Sequence, residues 1–268
     1  MDDRPIGLFD SGFGGLTVAR AVIDLMPGED LVYIGDTGRY PYGPRPLPEV
    51  RRFSGQIATK LVGEHGVKLI VVACNTAAAA GLDGLVGAGD VPVMSVIEPG
   101  VRAALRATTT GRIGVIGTVG TVSSGAYQRT FDTVDTDGRV SLTCAACPGF
   151  VEFVERGETA SDQVYVLAER LLAPVVEAKV DTLLLGCTHY PFLARTISDV
   201  VGRDVVLVSS ADETAFELRT LLGQLGLARR RPEAGRHKWI SSGDVDTFRR
   251  LGRLLLGPEI ETVESWEP

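Results

Sequence analysis

The chain has 268 residues, of which 44% are hydrophobic and 23% are charged, and its net charge is -7. This composition is typical of a globular protein with a substantial core, and it excludes an intrinsically disordered chain. The acidic balance also argues against a nucleic-acid surface as the main function.

Short apolar runs alternate with helix-like segments along the chain. The apolar runs predict buried strands at Ile6–Phe9, Leu31–Ile34, Leu69–Ala73, Val91–Val96, Ile113–Ile116, Leu183–Leu185 and Val205–Val208. Helices are predicted at Leu16–Met26, Val50–Glu64, Gly100–Ala107 and Gln163–Glu177. This alternation predicts an α/β fold with mostly parallel sheets and helices on both faces.

The chain also contains a weak tandem repeat. Ile6–Gly12 resembles Ile113–Val119, and Val71–Thr76 resembles Leu184–His189 at nearly the same offset. The repeat predicts two similar three-layer α/β domains with the active site in the crevice between them.

The first domain is expected to comprise residues 1–98, completed by residues 210–268, and the second to comprise residues 99–209. We place the break at Ile97–Gly100, where Pro99 would hold Glu98 in extended geometry and would suit the first turn of a helix. Ser209–Glu213 would cap the helix that returns to the first domain.

Four side chains with polar or reactive groups follow the ends of predicted strands, directly or after one glycine: Asp10, Cys74, Thr118 and Cys187. Ligands of open α/β sheets bind beyond the carboxyl ends of the strands, so these groups are expected to converge on one crevice. Two buried cysteines could simply act as small apolar residues. The matched sequences that follow Cys74 and Cys187 favour a catalytic pair instead.

A pair of facing cysteines suits racemisation of an amino acid. That reaction removes the Cα proton from one face and returns a proton to the opposite face, so one group must begin as a thiolate and the other as a thiol. A free thiol is mostly protonated at neutral pH, and neighbouring groups must therefore tune each cysteine. Asp10 could serve Cys74, and His189 could serve Cys187.

Cofactor and metal chemistry are less well supported by the sequence. Gly12–Gly15 is not a full dinucleotide fingerprint, and no Gly-Lys-Ser/Thr sequence follows it. None of the lysines (Lys60, Lys68, Lys179 and Lys238) follows a strand in a loop suited to a pyridoxal Schiff base. Cys144 and Cys147 lack a second pair of zinc ligands and do not open a helix after a first strand, as a redox motif would, so we assign them to ordinary packing. We therefore predict no cofactor and no metal.

The cellular location and partners follow from what the sequence lacks. We expect no membrane segment, because no apolar run approaches the roughly 20 residues that span a bilayer, and no secretory signal is visible. Four cysteines in a chain of this length do not suggest a disulfide framework, so a reducing cytoplasm is expected. The basic run Arg229–Lys238 is interpreted as a solvated connecting loop, not a polyanion site.

Several short motifs together resemble one known family. The matching stretches are Gly7–Leu16, Gly35–Gly43, Ala73–Ala77, Gly186–Pro191 and Ser241–Asp244. They occur in order and at suitable spacing, and in them the chain resembles the glutamate racemases of the aspartate/glutamate racemase group over nearly its full length.

The resemblance implies roles for individual residues. Cys74 would act on D-glutamate and Cys187 on L-glutamate, with Asp10, Glu155 and His189 as supporting acid-base residues. The family has a proline where this chain has Glu152, which leaves the roles of Glu152 and Glu155 open. Substrate contacts would come from Asp10, Ser11, Tyr42, Gly43, Asn75, Thr76, Thr118, Thr121, Thr188 and His189.

The resemblance also implies a biological role, the supply of D-glutamate for peptidoglycan and hence for cell-wall biogenesis and cell shape. Members of the family are commonly homodimers. Two alternatives stay open: a racemase for another amino acid such as aspartate, and a binding protein, for example an inhibitor of DNA gyrase.

Overall fold

The computed structural model describes residues 2–82, 85, 89–229 and 233–268, and these form two β-sheets. In spatial order, the first sheet contains β10 (Val263–Ser265), β9 (His237–Ser241), β2 (Leu31–Gly35), β1 (Ile6–Asp10), β3 (Leu69–Val72) and β4 (Val93–Ser95). The second contains β6 (Ser141–Ala146), β5 (Arg112–Gly117), β7 (Thr182–Gly186) and β8 (Val206–Ser209). All of these neighbouring strands pair in parallel.

Helices connect the strands and cover the sheets. They are α1 (Leu16–Leu25), α2 (Leu47–Gly63), α3 (Asn75–Ala79), α4 (Ile97–Ala107), α5 (Val119–Ser123), α6 (Ala126–Val134), α7 (Phe150–Glu155), α8 (Asp162–Glu177), α9 (Ala194–Val201), α10 (Ser210–Gln224) and α11 (Val245–Leu255). The central strands β1, β3 and β7 are buried along their whole length, as continuous apolar runs require. The predicted α/β class with parallel sheets is confirmed.

The segment between the sheets differs from the prediction. Helix α4 begins at Ile97, so Glu98 is helical and not extended as we expected. Pro99 is tolerated there because the N–H groups of a first helical turn have no intrahelical partner. The predicted cap of the return helix is present, since Ser209 Oγ accepts a hydrogen bond from the Ala211 N–H at 3.3 Å.

The basic run is only partly the solvated loop that we predicted: residues 233–236 lie outside helices and strands and the Arg236 side chain is exposed, but the two ends of the run differ from the prediction. The side chain of Arg229 is 6% exposed and forms an ion pair with Asp30, and its backbone N–H donates to Glu29. His237 and Lys238 begin β9, which pairs with β2. Arg230, Arg231 and Pro232 lie outside the described residues. The sequence did not predict β9, because this strand begins with the polar residues His237 and Lys238.

The two sheets draw on different parts of the chain. The six-stranded sheet uses residues from both ends, and the four-stranded sheet uses the middle. The boundaries at residues 98, 99, 209 and 210 remain our proposal for the domains. Among the described residues, no helix has both the length and the apolar character needed to cross a membrane.

Candidate active site

One cavity lies at the carboxyl ends of strands from both sheets. Asp10 ends β1, and Cys74 follows β3. Thr118 and Cys187 directly follow β5 and β7 of the second sheet. All four residues line the cavity. The structure thus brings together the groups that the strand positions predicted would converge.

Cys74 is held as the cap of a short helix. It precedes α3 in extended conformation, and its Sγ accepts a hydrogen bond from the Ala77 N–H at 3.5 Å. Burial raises the pKa of the Cys74 thiol far above its usual range, and the nearby Asp10 carboxylate raises that pKa further. In the free protein, Cys74 is therefore a thiol at neutral pH.

Cys187 stands next to a buried histidine. His189 Nδ1 lies 3.8 Å from Cys187 Sγ, and His189 Nε2 lies 3.2 Å from Glu155 Oε1. Burial by itself lowers the pKa of His189, but the contacts with Cys187 and Glu155 outweigh it and raise that pKa to about 10. At neutral pH His189 is therefore a cation beside the second cysteine.

Asp10 is a fully buried and fixed acceptor on the cavity wall. Its carboxylate accepts hydrogen bonds from the backbone N–H groups of Ser11 and Gly15. The Ser11 hydroxyl donates to it at 3.0 Å, and the Thr188 hydroxyl, from the second sheet's side, donates at 3.3 Å. These donors fix the direction of the carboxylate relative to Cys74.

Neutral polar groups occupy the rest of the wall. The hydroxyls of Thr76 and Thr118 are 2.9 Å apart, and Thr121 lies 3.2 Å from Thr76 and 2.9 Å from Thr118. The predicted site residues on the cavity wall are Asp10, Ser11, Tyr42, Gly43, Cys74, Asn75, Thr76, Thr118, Cys187, Thr188 and His189. Thr121 and Glu155 lie behind that wall, in contact with residues that line it.

The structure also distinguishes Glu152 from Glu155, whose roles the sequence left open. Glu155 contacts His189, whereas Glu152 is exposed and lines the cavity. Among the described residues, no group of three or more His, Cys, Asp or Glu side chains is placed to hold a metal ion.

Sequence reasoning missed several residues of the cavity wall. They are Tyr40, Pro41, Pro44, Val119, Cys147, Pro148, Gly149 and Val151. We assigned Cys147 to ordinary packing, but it follows β6, a strand that the sequence did not reveal. Had β6 been recognised, the position of Cys147 after that strand would have predicted its place in the cavity, as it did for Cys74. Burial raises the pKa of Cys147 to about 12, so its thiol stays protonated at neutral pH.

Gly14 makes room for the histidine. A Cβ atom at this position would lie 2.4 Å from His189 Nδ1 and 2.5 Å from Thr188 Oγ1. We expect Gly14→Ala to lower activity at least about tenfold by displacing His189. The free energy of unfolding should also fall, by about 1–3 kcal/mol. Steady-state kinetics and urea unfolding measure the two effects.

Gly223→Ala is the matched control for this variant. Gly223 lies within α10, and a Cβ atom there would meet nothing within 4 Å. Activity should stay unchanged, and stability should rise by about 0.5–1 kcal/mol. Equal activity of the Gly14→Ala variant and the unmodified protein would contradict the placement of His189.

The three histidines should separate in an NMR titration. Burial lowers the pKa values of His65 and His237, whereas that of His189 is raised to about 10. His189 should therefore stay charged until the pH rises through about 10. Glu155→Gln removes one of the contacts that raise this pKa, so it should shift only the His189 titration, and to lower pH. A His189 resonance that titrates below pH 6.5 would contradict the assignment.

Comparison with known proteins shows that the chain is similar to amino-acid racemases over most of its length. The model of the Asp/Glu/Hydantoin racemase family matches residues 17–217. The glutamate racemase of Acidothermus cellulolyticus is 51% identical over 268 residues, which cover 99% of this chain and 100% of that relative.

Solved structures of glutamate racemases are similar to this chain over nearly its whole length. Glutamate racemase isoform RacE1 from Bacillus anthracis matches with a TM-score of 0.91 and 39% identity, covering 99% of this chain and 97% of that chain. Glutamate racemase from Francisella tularensis in complex with D-glutamate matches with a TM-score of 0.90 and 31% identity, covering 99% and 98%. The similarity confirms the predicted resemblance.

Proposed function

The chain belongs to the Asp/Glu/Hydantoin racemase family, and from that premise we propose that it interconverts L- and D-glutamate with Cys74 and Cys187 as the two bases. The observation that carries the proposal is the position of the two cysteines. Each follows the end of a strand, one in each sheet, and both line the same cavity.

The charges around the cysteines suggest the order of proton transfers. Cys187, beside the charged His189, begins as the thiolate and takes the Cα proton of L-glutamate. Cys74, kept protonated by burial and by Asp10, gives its proton to the opposite face of the carbanion. The products are D-glutamate, a Cys187 thiol and a Cys74 thiolate. In reverse, the Cys74 thiolate takes the Cα proton of D-glutamate and Cys187 protonates the other face.

Substrate recognition is proposed to depend on neutral donors. No arginine or lysine is among the described residues that line the cavity. Hydroxyls, backbone N–H groups and the Asn75 amide would bind the two carboxylates, and the Asp10 carboxylate would receive the ammonium group.

The decisive experiment is to follow the optical rotation of L-glutamate with purified protein that has been dialysed against a chelator. We expect the rotation to decay to zero without added pyridoxal phosphate or metal, and more slowly with aspartate than with glutamate. Reducing agent should preserve activity, because a thiolate oxidises readily. Activity that returns only with an added cofactor, or a preference for aspartate, would contradict the proposal.

The wider biological role follows from this reaction. We propose that the enzyme supplies D-glutamate for peptidoglycan, works in the cytoplasm and forms a homodimer. The alternative of a gyrase-binding protein stays a prediction, and the described residues offer no specific feature that favours it over catalysis.

A further inference from the structure

Asn75 carries a buried polar atom that lacks a partner. The residue is 2% exposed and lines the cavity. Its Nδ2 donates to the hydroxyl of Tyr127 at 2.7 Å, while its Oδ1 has no hydrogen-bond partner among the described residues. A buried acceptor without a hydrogen-bond donor costs free energy, so we expect the Asn75 amide to gain a second partner when the cavity is occupied.

If the Asn75 amide is rotated by 180° and substrate is bound, both polar atoms of the amide have a hydrogen-bond partner. Rotation by 180° exchanges Oδ1 and Nδ2 and leaves the side chain otherwise in place. The Tyr127 hydroxyl then donates to Oδ1, and Nδ2 takes the position that faces away from Tyr127. A substrate carboxylate can only accept hydrogen bonds, so it would pair with Nδ2 and would be repelled by Oδ1.

Tyr127 is well placed to select this orientation. It lies on α6 and is 1% exposed, and it is absent from the cavity wall. A Cβ atom on Gly186 would lie 2.9 Å from Tyr127 Cε2, so the ring packs against the residue that precedes Cys187. Its hydroxyl meanwhile reaches the residue that follows Cys74. Burial raises the pKa of Tyr127 well above its usual range, and the phenol therefore stays a donor.

We propose that Tyr127 is a positioning residue of the racemase, whose hydroxyl holds the Asn75 amide with Nδ2 directed at a substrate carboxylate. The inference rests on the proposed function, because it requires glutamate as the ligand of the cavity. Tyr127 itself does not touch the substrate and acts only through Asn75.

Tyr127→Phe tests the proposal, because it keeps the ring in place and removes only the hydroxyl. The KM values for both enantiomers should rise about tenfold, the factor that one hydrogen bond to a charged group provides. The kcat values should change little, since a carboxylate is bound equally in the ground and transition states. Tyr165→Phe, at an exposed position on α8, is the matched control and should leave both constants unchanged.

A double-mutant cycle separates positioning from a general structural effect. Asn75→Ala should raise KM by itself, and adding Tyr127→Phe should raise it no further, because the hydroxyl acts only through the amide. The same pattern should appear in the D-glutamate concentration that raises the melting temperature. An unchanged KM in Tyr127→Phe, even with lowered stability, would overturn the proposal, and so would independent, additive effects. Failure of the proposed function is distinct, since the unmodified protein would then not racemise glutamate.

Discussion

Replacing either Cys74 or Cys187 by alanine is expected to lower racemisation in both directions by about a thousandfold or more. Each turnover needs one cysteine to remove a proton and the other to supply one, so neither direction survives the loss of either thiol. Positioned acid-base groups each contribute about 10²–10⁴ to a rate, and here both are required. The measurement is the initial rate of change in optical rotation with each enantiomer.

Serine at either position should be nearly as poor, because its hydroxyl is a much weaker acid than a thiol. Cys144→Ala is the control: Cys144 is half-buried on β6 and is not part of the cavity wall. Its rate should equal that of the unmodified protein. Near-normal racemisation by Cys187→Ala would refute the two-base assignment.

Asp10→Asn and His189→Asn are expected to affect the two directions unequally. Burial raises the pKa of Cys74, and the Asp10 carboxylate raises it further, which makes the Cys74 thiolate a stronger base toward D-glutamate. His189, 3.8 Å from Cys187, supplies the cation that stabilises the thiolate acting on L-glutamate. Asp10→Asn should therefore lower kcat mainly from D to L, and His189→Asn mainly from L to D, by about tenfold to a hundredfold.

The equilibrium constant restricts where this asymmetry can appear. The ratio of the two kcat/KM values must stay fixed, so the unequal effects have to show in kcat and KM separately. Each variant is the control for the other, and circular dichroism melting checks that both are folded. If the two variants changed every constant in the same proportion, the assignment of Asp10 to Cys74 and of His189 to Cys187 would be wrong.

The main features of the fold could be predicted because parallel strands buried on both faces have a simple sequence signature. Ile6–Phe9 and Leu183–Leu185 are continuous apolar runs, and both lie in the centres of sheets. β6 and β9 lack this signature. Ser141 is exposed, the next three residues of β6 are half-buried, and β9 begins with His237 and Lys238. Their pairing with β5 and β2 depends on tertiary contacts that local polarity conceals.

The site residues could be predicted where they follow a strand that the sequence reveals, and were missed elsewhere. Asp10, Cys74, Thr118 and Cys187 follow recognisable strands, and the rule for parallel sheets places them at one edge. Cys147 follows a strand that was not recognised, and its place on the cavity wall was therefore missed. The hydrogen bond between Asn75 and Tyr127 joins α3, which follows a strand of the first sheet, to α6, which follows a strand of the second sheet. No spacing in the sequence encodes such a contact, because it depends on how the two sheets are arranged.

The most direct test of the two-base mechanism is to follow the Cα hydrogen of L-glutamate during racemisation in heavy water. The proton that Cys187 removes stays on that cysteine, and the product receives a different one from Cys74, whose thiol has exchanged with solvent. We predict that the earliest D-glutamate carries deuterium at Cα while the remaining L-glutamate keeps protium. Early D-glutamate that retains the substrate's own protium would show a single base acting on both faces and would contradict the account.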